Sequence, residues 1–514
     1  MSERTAGAFT RLDRFSHKAK SPWRLSILFA MAVPLFPEYI APVLAVLSLL
    51  TAGIDARRCG RRLKIGPLGW VITAFILYCG IGVLYSPTTL ISAGTCLMWA
   101  VMFLLYVAMV NVLSDRHRFD AALFVMSVMA GIVGGIACVQ YIANALLNFS
   151  LPWCVWQRLD DLVYTWFPMP LNLGPGAMRA CSTFTNPNIL GEYLAMVFPF
   201  VVYYAFVGRR TRARLGCRIC LLLATGGIAF SFSRGSYLAL VTVAVVLCIT
   251  NANKIMLILL SLSSAVVIIP ESVLARLFSI KDTDTDASIG ERLDIWKICI
   301  EAIGEKPVLG YGPGVQNSWD IIIAGGINAP HAHNLVLQLL IEGGIVGLAL
   351  MLFLGLRTFF VAVRLARYSP RSQETRMLGI LFAAFVLAFC VDSMVEYPFL
   401  TPKLIGTFVL VLAMADATRS VYMGETVSHT TLTLRRWAGR LRTHMPGKKA
   451  RKKHPPENIR KRLLFSSGSY IILKTRKRVF PDEKRRPLFR QNTGTRNRPA
   501  KRAASGKILA YAKG

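Results

Sequence analysis

His331-Ala332-His333-Asn334-Leu335-Val336-Leu337-Gln338-Leu339-Leu340-Ile341-Glu342-Gly343-Gly344-Ile345-Val346-Gly347-Leu348-Ala349-Leu350-Met351-Leu352-Phe353-Leu354-Gly355-Leu356 decides the fold. From Leu335 to Leu356 the run is apolar except at Gln338 and Glu342. As a helix it is long enough to cross the ~30 Å hydrocarbon core of a bilayer. Two histidines and an asparagine stand at its mouth, so polar chemistry is expected where this span meets the membrane surface.

Apolar runs of this kind recur from Arg24 to Ala417 in a chain of 514 residues that is 54% hydrophobic, with a mean hydropathy of +0.48. Inside a bilayer such runs can satisfy their backbone only as helix, and no period-2 alternation favours a barrel. The fold class is therefore all-α, a polytopic membrane protein of about twelve transmembrane helices. The expected spans are 25-36, 39-54, 67-84, 91-113, 119-147, 189-207, 216-231, 236-250, 254-270, 335-356, 377-392 and 403-418. The first two are short and suggest a tight hairpin around Pro34, Pro37 and Pro42. Residues 1-24 form a basic N-terminus, 25-418 the membrane domain and 419-514 a tail.

The net charge of +33 suggests nucleic acid until it is located. Residues 419-514 hold 27 Lys and Arg against 4 Asp and Glu, a net +23, which leaves +10 on the membrane body. Without an aromatic stacking platform or a known module, the tail reads as a disordered, membrane-adhering segment, and no nucleic-acid partner is expected. The eleven cysteines are scattered, mostly in apolar runs, and make no disulfide ladder. Cys154 and Cys181 share one outer loop, where a bridge and two free thiols both stay open.

Positive-inside counting orients the chain. Arg57, Arg58, Arg61, Arg62 and Lys64, then Arg116 and Arg118, then Arg209 to Arg218, then Arg357 to Arg376 fall in alternate connections, which are read as cytoplasmic. Both termini are then inside. On the other side lies one long acidic loop, 271-333, expected to be a small extracytoplasmic subdomain with an amphipathic helix over Ile289 to Ile303. The glycines and prolines from Pro307 to Gly314 predict a tight irregular turn after it.

This orientation brings Arg179, Arg234, Arg292 and His333 to the outer face. Arg234 sits in a connection so short that its guanidinium must lie at the membrane surface, where an unpaired charge is costly. Guanidinium forks suit phosphate oxygens bidentately, and a lipid-linked diphosphate presents such oxygens at this depth. Lipid-phosphate snorkelling is the bland alternative for any one arginine; convergence of three with a histidine favours a site. His333, with a reference pKa of about 6.5, can take a proton from a sugar hydroxyl, and Asn334 can cap or orient its helix. His331 and His333 alone make no metal site, so no metal and no cofactor are expected. Glu342, nine residues on, falls on the opposite side of the helix and about 13 Å along it, which disfavours a His333–Glu342 dyad. It is expected to pair with a neighbouring helix. Gly343 and Gly347 form a small-xxx-small packing face.

Four blocks occur in order: Ser182-Thr183-Phe184-Thr185-Asn186-Pro187-Asn188; Ser233-Arg234-Gly235; Arg292-Leu293-Asp294-Ile295-Trp296 leading to Gly310-Tyr311-Gly312-Pro313-Gly314; and His333-Asn334 with Leu337, Glu342, Gly344 and Gly347. The set resembles the O-antigen ligase/O-antigen polymerase superfamily of bacterial membrane glycan enzymes over about Arg179 to Gly347. The resemblance implies a GT-C-like, inverting, metal-independent glycosyltransferase of the inner membrane. Its donor would be an undecaprenyl-diphosphate-linked glycan on the outer face. Its acceptor would be a glycan, lipid or protein hydroxyl, in lipopolysaccharide or exopolysaccharide assembly. His333, Arg234 and Arg179 would be catalytic; Arg292, Asn334, Asn186, Asn188 and His331 would bind substrate. Membrane lipids, a flippase and a chain-length regulator would be the partners. The rival class is a transporter or flippase of lipid-linked glycans or small solutes, which should carry charge through the bilayer; here the candidates gather at one face and no internal repeat is seen.

Overall fold

The computed structural model describes residues 21–147, 149, 151–152, 154–156, 179–208, 211–250, 287–368 and 372–424. Among them are thirteen α-helices. They are α1 (Pro22–Ala32), α2 (Ala41–Arg58), α3 (Pro67–Val83), α4 (Thr89–Val112), α5 (Arg116–Tyr141), α6 (Pro187–Val207), α7 (Thr211–Ser231), α8 (Arg234–Ile249), α9 (Ala287–Glu305), α10 (Val315–Ala324), α11 (Leu335–Tyr368), α12 (Gln373–Asp392) and α13 (Pro402–Tyr422). Eight are long and apolar enough to cross a membrane, and α1, α3 and α8 are shorter apolar helices. The chain is an all-α, polytopic membrane protein. The expected span 254-270, the N-terminal residues 1-20 and the tail from 425 lie outside the described residues.

The expected hairpin is present. Two 3₁₀ turns, Val33–Leu35 and Glu38–Ile40, separate α1 from α2, with Pro34 and Pro37 excluding continuous helix. Ser26 and Ser48 then exchange hydrogen bonds across the pair, Ser26 Oγ to Ser48 O at 2.8 Å and Ser48 Oγ to Ser26 O at 3.0 Å. Helices α6 and α13 are central, with 94% and 83% of their apolar windows buried against 33% for α4. One end of the bundle is basic and tied by Asp55, which pairs with Arg61 at 3.0 Å and Arg118 at 2.6 Å. The opposite end carries the hairpin turns, α9, α10 and the start of α11.

Helix α9 realises the helix expected over 289–303. Its Ile295 and Cys299 join Ile322 of α10, Ala329, Ala332 and Ile341 in a small apolar cluster separate from the main core. Helix α10 was not anticipated.

The run that begins at Leu335 departs from a single span. It extends to Tyr368, and it breaks at Gly344, which adopts φ 56° and ψ −161°, a conformation reserved for glycine. The break frees backbone groups, and four of them find partners in the Pro307–Gly314 turn or on α3. Tyr311 N donates to Ile341 O at 2.7 Å, Gly312 N to Glu342 O at 2.9 Å, and Ile345 N to Pro307 O at 2.9 Å. Tyr78 Oη donates to Gly343 O at 2.7 Å. Gly343 and Gly347 do form the packing face, against the Tyr78 ring. A Cβ at Gly344 would lie 2.2 Å from Val308 O. Gly344→Ala is therefore expected to destabilise the fold by about 2 kcal/mol or more, read as a thermal shift in detergent; an unchanged melting temperature would refute this account of the break.

Candidate functional site

The site is built where four chain segments meet at the non-basic end. At the start of α11, Asn334 caps the helix: its Oδ1 accepts from Val336 N at 2.9 Å and Leu337 N at 3.1 Å. Its Nδ2 donates to Met394 O at 3.0 Å, and Leu335 N donates to Ser393 O at 2.8 Å, which fastens the helix start to the connection after α12. Asn334 Oδ1 is thus spent on capping and its Nδ2 on fastening the helix start. At the start of α6, Asn186 caps in the same way, accepting from Asn188 N at 2.8 Å.

Arg179 and its block dock on the end of α7. Arg179 Nε donates to Ser231 O at 2.8 Å and Ala180 N to Phe230 O at 3.0 Å. Its Nη2 donates closely to Asn188 Oδ1. Arg234 opens α8 behind the cap residue Ser233 and is half-buried. The next residue, Gly235, sits against the connection after α12: a Cβ there would lie 2.4 Å from Asp392 Oδ1 and 2.9 Å from Val395 Cγ2. Gly191 of α6 meets Ser236 Oγ equally closely. The corner that presents Arg234 is thereby wedged between α6 and α12.

Glu396, in the short connection between α12 and α13, holds the parts together. Its Oε1 accepts from Asn188 Nδ2 at 2.7 Å and from Arg292 Nη2 at 2.9 Å; its Oε2 lies 3.1 Å from His333 Nδ1. Burial opposes ionisation of this carboxyl, but His333 and Arg292 outweigh it and hold its pKa down at about 2. An ionised carboxylate only accepts, so His333 carries its proton on Nδ1, and in the neutral ring Nε2 remains an acceptor. Trp296 Nε1 donates to Ala332 O at 2.9 Å, so α9 brings Arg292 to the histidine segment.

His331 backs His333. Its ring centroid is 4.1 Å from that of His333, and its Nδ1 accepts from His333 N at 3.2 Å. It is only 6% exposed, and burial first, then His333, pushes its pKa down to about 3. Its ring is thus neutral and free to accept. Both shifts have the same consequence for stability. The folded state resists protonation of His331 below the ordinary 6.5 and of Glu396 below the ordinary 4.5, whereas the unfolded chain binds those protons. Acidification is expected to lower the melting temperature from about pH 6.5 downward, with Glu396 adding to the loss below about pH 4.5. His331→Asn should remove the upper part of that slope; an identical slope in the variant would exclude His331 as its source.

Three non-glycine residues have positive φ among the described residues: Ser182 at 56°, Phe232 at 53° and His333 at 46°. Each belongs to, or lies within three residues of, one of the site segments. Strain of this kind persists only where surrounding contacts enforce it and gathers at functional sites. Ser182 is enforced by Gln140 Oε1 on its N–H at 2.7 Å and by Val133 O accepting its hydroxyl at 2.8 Å.

The structure thus brings Arg179, Asn188, Arg292 and His333 into one linked cluster, sets Arg234 in the adjoining corner, and gives Asn186, Asn334 and His331 supporting contacts. Glu342 does not touch His333; it accepts from Gln338 Nε2 at 2.7 Å and from Tyr397 Oη at 3.0 Å. Tyr397 adjoins Glu396, so Glu342 steadies the same connection from below. Cys154 and Cys181 are both buried and are not joined by a disulfide. Glu396 is the residue that sequence reasoning missed. Counting only Lys and Arg in loops passes over a carboxylate, yet one acid in a short connection facing several arginines is a signal of charge pairing. Two buried carboxyls, Glu192 on α6 and Asp392 at the end of α12, were missed with it.

Residues 219–352 match the family described as O-Antigen ligase. That segment contains Arg234, Arg292, His331, His333 and Asn334. The chain is also similar to the Exopolysaccharide production protein ExoQ of Rhizobium meliloti, 27% identical over 135 residues that cover 24% of this chain and 30% of that protein. The matched part is therefore less than a third of that relative's length. Residues 219–352 thus form a segment similar to the O-antigen ligase family, in line with the resemblance of the ordered blocks.

Proposed function

We propose that the chain is a membrane glycosyltransferase of the O-antigen ligase/polymerase type, acting in surface-polysaccharide assembly on an undecaprenyl-diphosphate-linked glycan. One observation carries the reading: Glu396 gathers Asn188, Arg292 and His333, with Arg179 attached through Asn188, at one end of the bundle. Positive-inside counting makes that end extracytoplasmic, with both termini in the cytoplasm.

In the proposed reaction an acceptor hydroxyl oxygen attacks the anomeric carbon as the bond from that carbon to the diphosphate oxygen breaks. His333 Nε2 takes the hydroxyl proton, Glu396 stabilises the resulting imidazolium through Nδ1, and the proton then passes to the departing lipid diphosphate. Arg179 and Arg234 offset the charge that grows on the leaving group, and Arg292 steadies the bound glycan. Direct displacement inverts the anomeric centre, and no step uses a metal. The domain division into 1-24, 25-418 and 419-514 belongs to the same proposal.

Reconstitution of the purified protein with a lipid-diphosphate glycan donor and candidate acceptors tests the class. Transfer predicts a longer or newly attached glycan and released lipid diphosphate. Movement of intact donor across the membrane without bond cleavage would instead identify a flippase.

A further inference from the structure

The basic end of the bundle holds a second feature that the proposed reaction does not use. A cleft of about 400 Å³ opens there between α1, α5, the end of α6 and the start of α7, within the size range of ligand sites. Its polarity is graded along the helix axes. At the mouth stand Arg24 of α1 and His117 of α5. One turn deeper, α1 contributes Ile27 and Leu28, and two turns deeper α5 contributes Phe124 and Val125. The rise of 1.5 Å per residue puts these apolar groups about 6 Å and about 12 Å below the charged ones. Leu28 is 44% exposed and Phe124 36% exposed, so the apolar part is open to the surrounding lipid.

The mouth favours an anion. The Arg24 guanidinium stacks over the Trp23 ring at 5.3 Å, with His117 edge-on to the same ring at 5.6 Å. Other charges nearby are already paired: Arg118 with Asp55 and Asp115, and Arg116 with Glu374. Asp120, the acid on the wall, accepts from Tyr204 Oη at 3.3 Å. An anionic head above an apolar chain, in this order along the membrane normal, is the amphiphile that the cleft fits.

We propose that this cleft binds an anionic phospholipid of the leaflet at the basic end, its phosphate at Arg24 and His117 and one acyl chain along Ile27, Leu28, Phe124 and Val125. The full chain is reconstituted in phosphatidylcholine vesicles containing a minor fraction of phosphatidylglycerol that carries a photoreactive acyl chain, with photoreactive phosphatidylcholine as the comparison. Labelled peptides are then mapped. The phosphatidylglycerol probe should label 21–32 and 117–128 about fivefold more than the phosphatidylcholine probe, the factor expected for one basic residue at the surface. Arg24→Glu should abolish the preference, Arg24→Lys should keep it, and Val125→Trp should block labelling by both probes. Retained elution volume shows that each variant is folded. Equal labelling by the two probes, or a preference that survives Arg24→Glu, overturns the proposal. Loss of labelling on adding inorganic phosphate also overturns it, because the site would then take a free anion rather than a lipid.

Discussion

Glu396→Gln is expected to reduce glycan transfer by about 10²- to 10⁴-fold while leaving the protein folded. The amide keeps the volume of the carboxyl. Its oxygen can still accept from Asn188 and Arg292, the partners of Glu396 Oε1 at 2.7 and 2.9 Å. Its nitrogen, however, replaces the oxygen that lies 3.1 Å from His333 Nδ1. A donor there demands an acceptor on the ring, so Nδ1 gives up its hydrogen and Nε2 takes it. The proposed base is then blocked at the atom assigned to receive the proton, and the imidazolium would lose its counter-charge. Glu396→Ala removes all these contacts and leaves Arg292 without its carboxylate in a partly buried position, with an expected further loss of about 3 kcal/mol in stability. The two variants separate chemistry from scaffold. Rate assays with melting curves check them, and wild-type turnover in Glu396→Gln would show that the carboxylate has no part in the reaction.

His333→Gly is expected to lose transfer by a similar factor, about 10²-fold or more, without loss of stability. The positive φ of 46° at His333 costs a side-chain-bearing residue about 1 kcal/mol or more, a strain that glycine lacks. The helix start survives, since Asn334 supplies the cap and Leu335 N its bond to Ser393 O. What disappears is the imidazole on Glu396. A melting temperature equal to or above that of the wild type, with transfer lost, is the expected pair of results. A large drop in melting temperature would instead make His333 a structural residue.

Much of this was legible in the sequence because it is local. Apolar length announced the spans, Pro34 and Pro37 announced the hairpin turn, and helical periodicity announced α9. His333 and the arginines could be placed at one end because alternation of loops is a count, and counting does not require knowing who touches whom. The pairing centre was not legible for the complementary reason. Glu396 lies 63 residues from His333, 104 from Arg292 and 208 from Asn188; its place in a short outer connection signals that it pairs, but not with which residues. The break at Gly344 was hidden likewise, since its sequence reads as uninterrupted span; the Pro307–Gly312 turn that satisfies the freed backbone comes from another segment. The capping role of Asn334 was legible too, because an asparagine just before a helical run is a ready cap. Its two polar atoms hold the helix start in place.

The most direct test of the central claim is the rate of undecaprenyl diphosphate release from a lipid-linked glycan donor, measured for wild type and His333→Gly in matched proteoliposomes with acceptor present. Release coupled to glycan transfer is expected in the wild type, with a fall of about 100-fold or more in the variant at unchanged melting temperature. Equal release by the two proteins would contradict it.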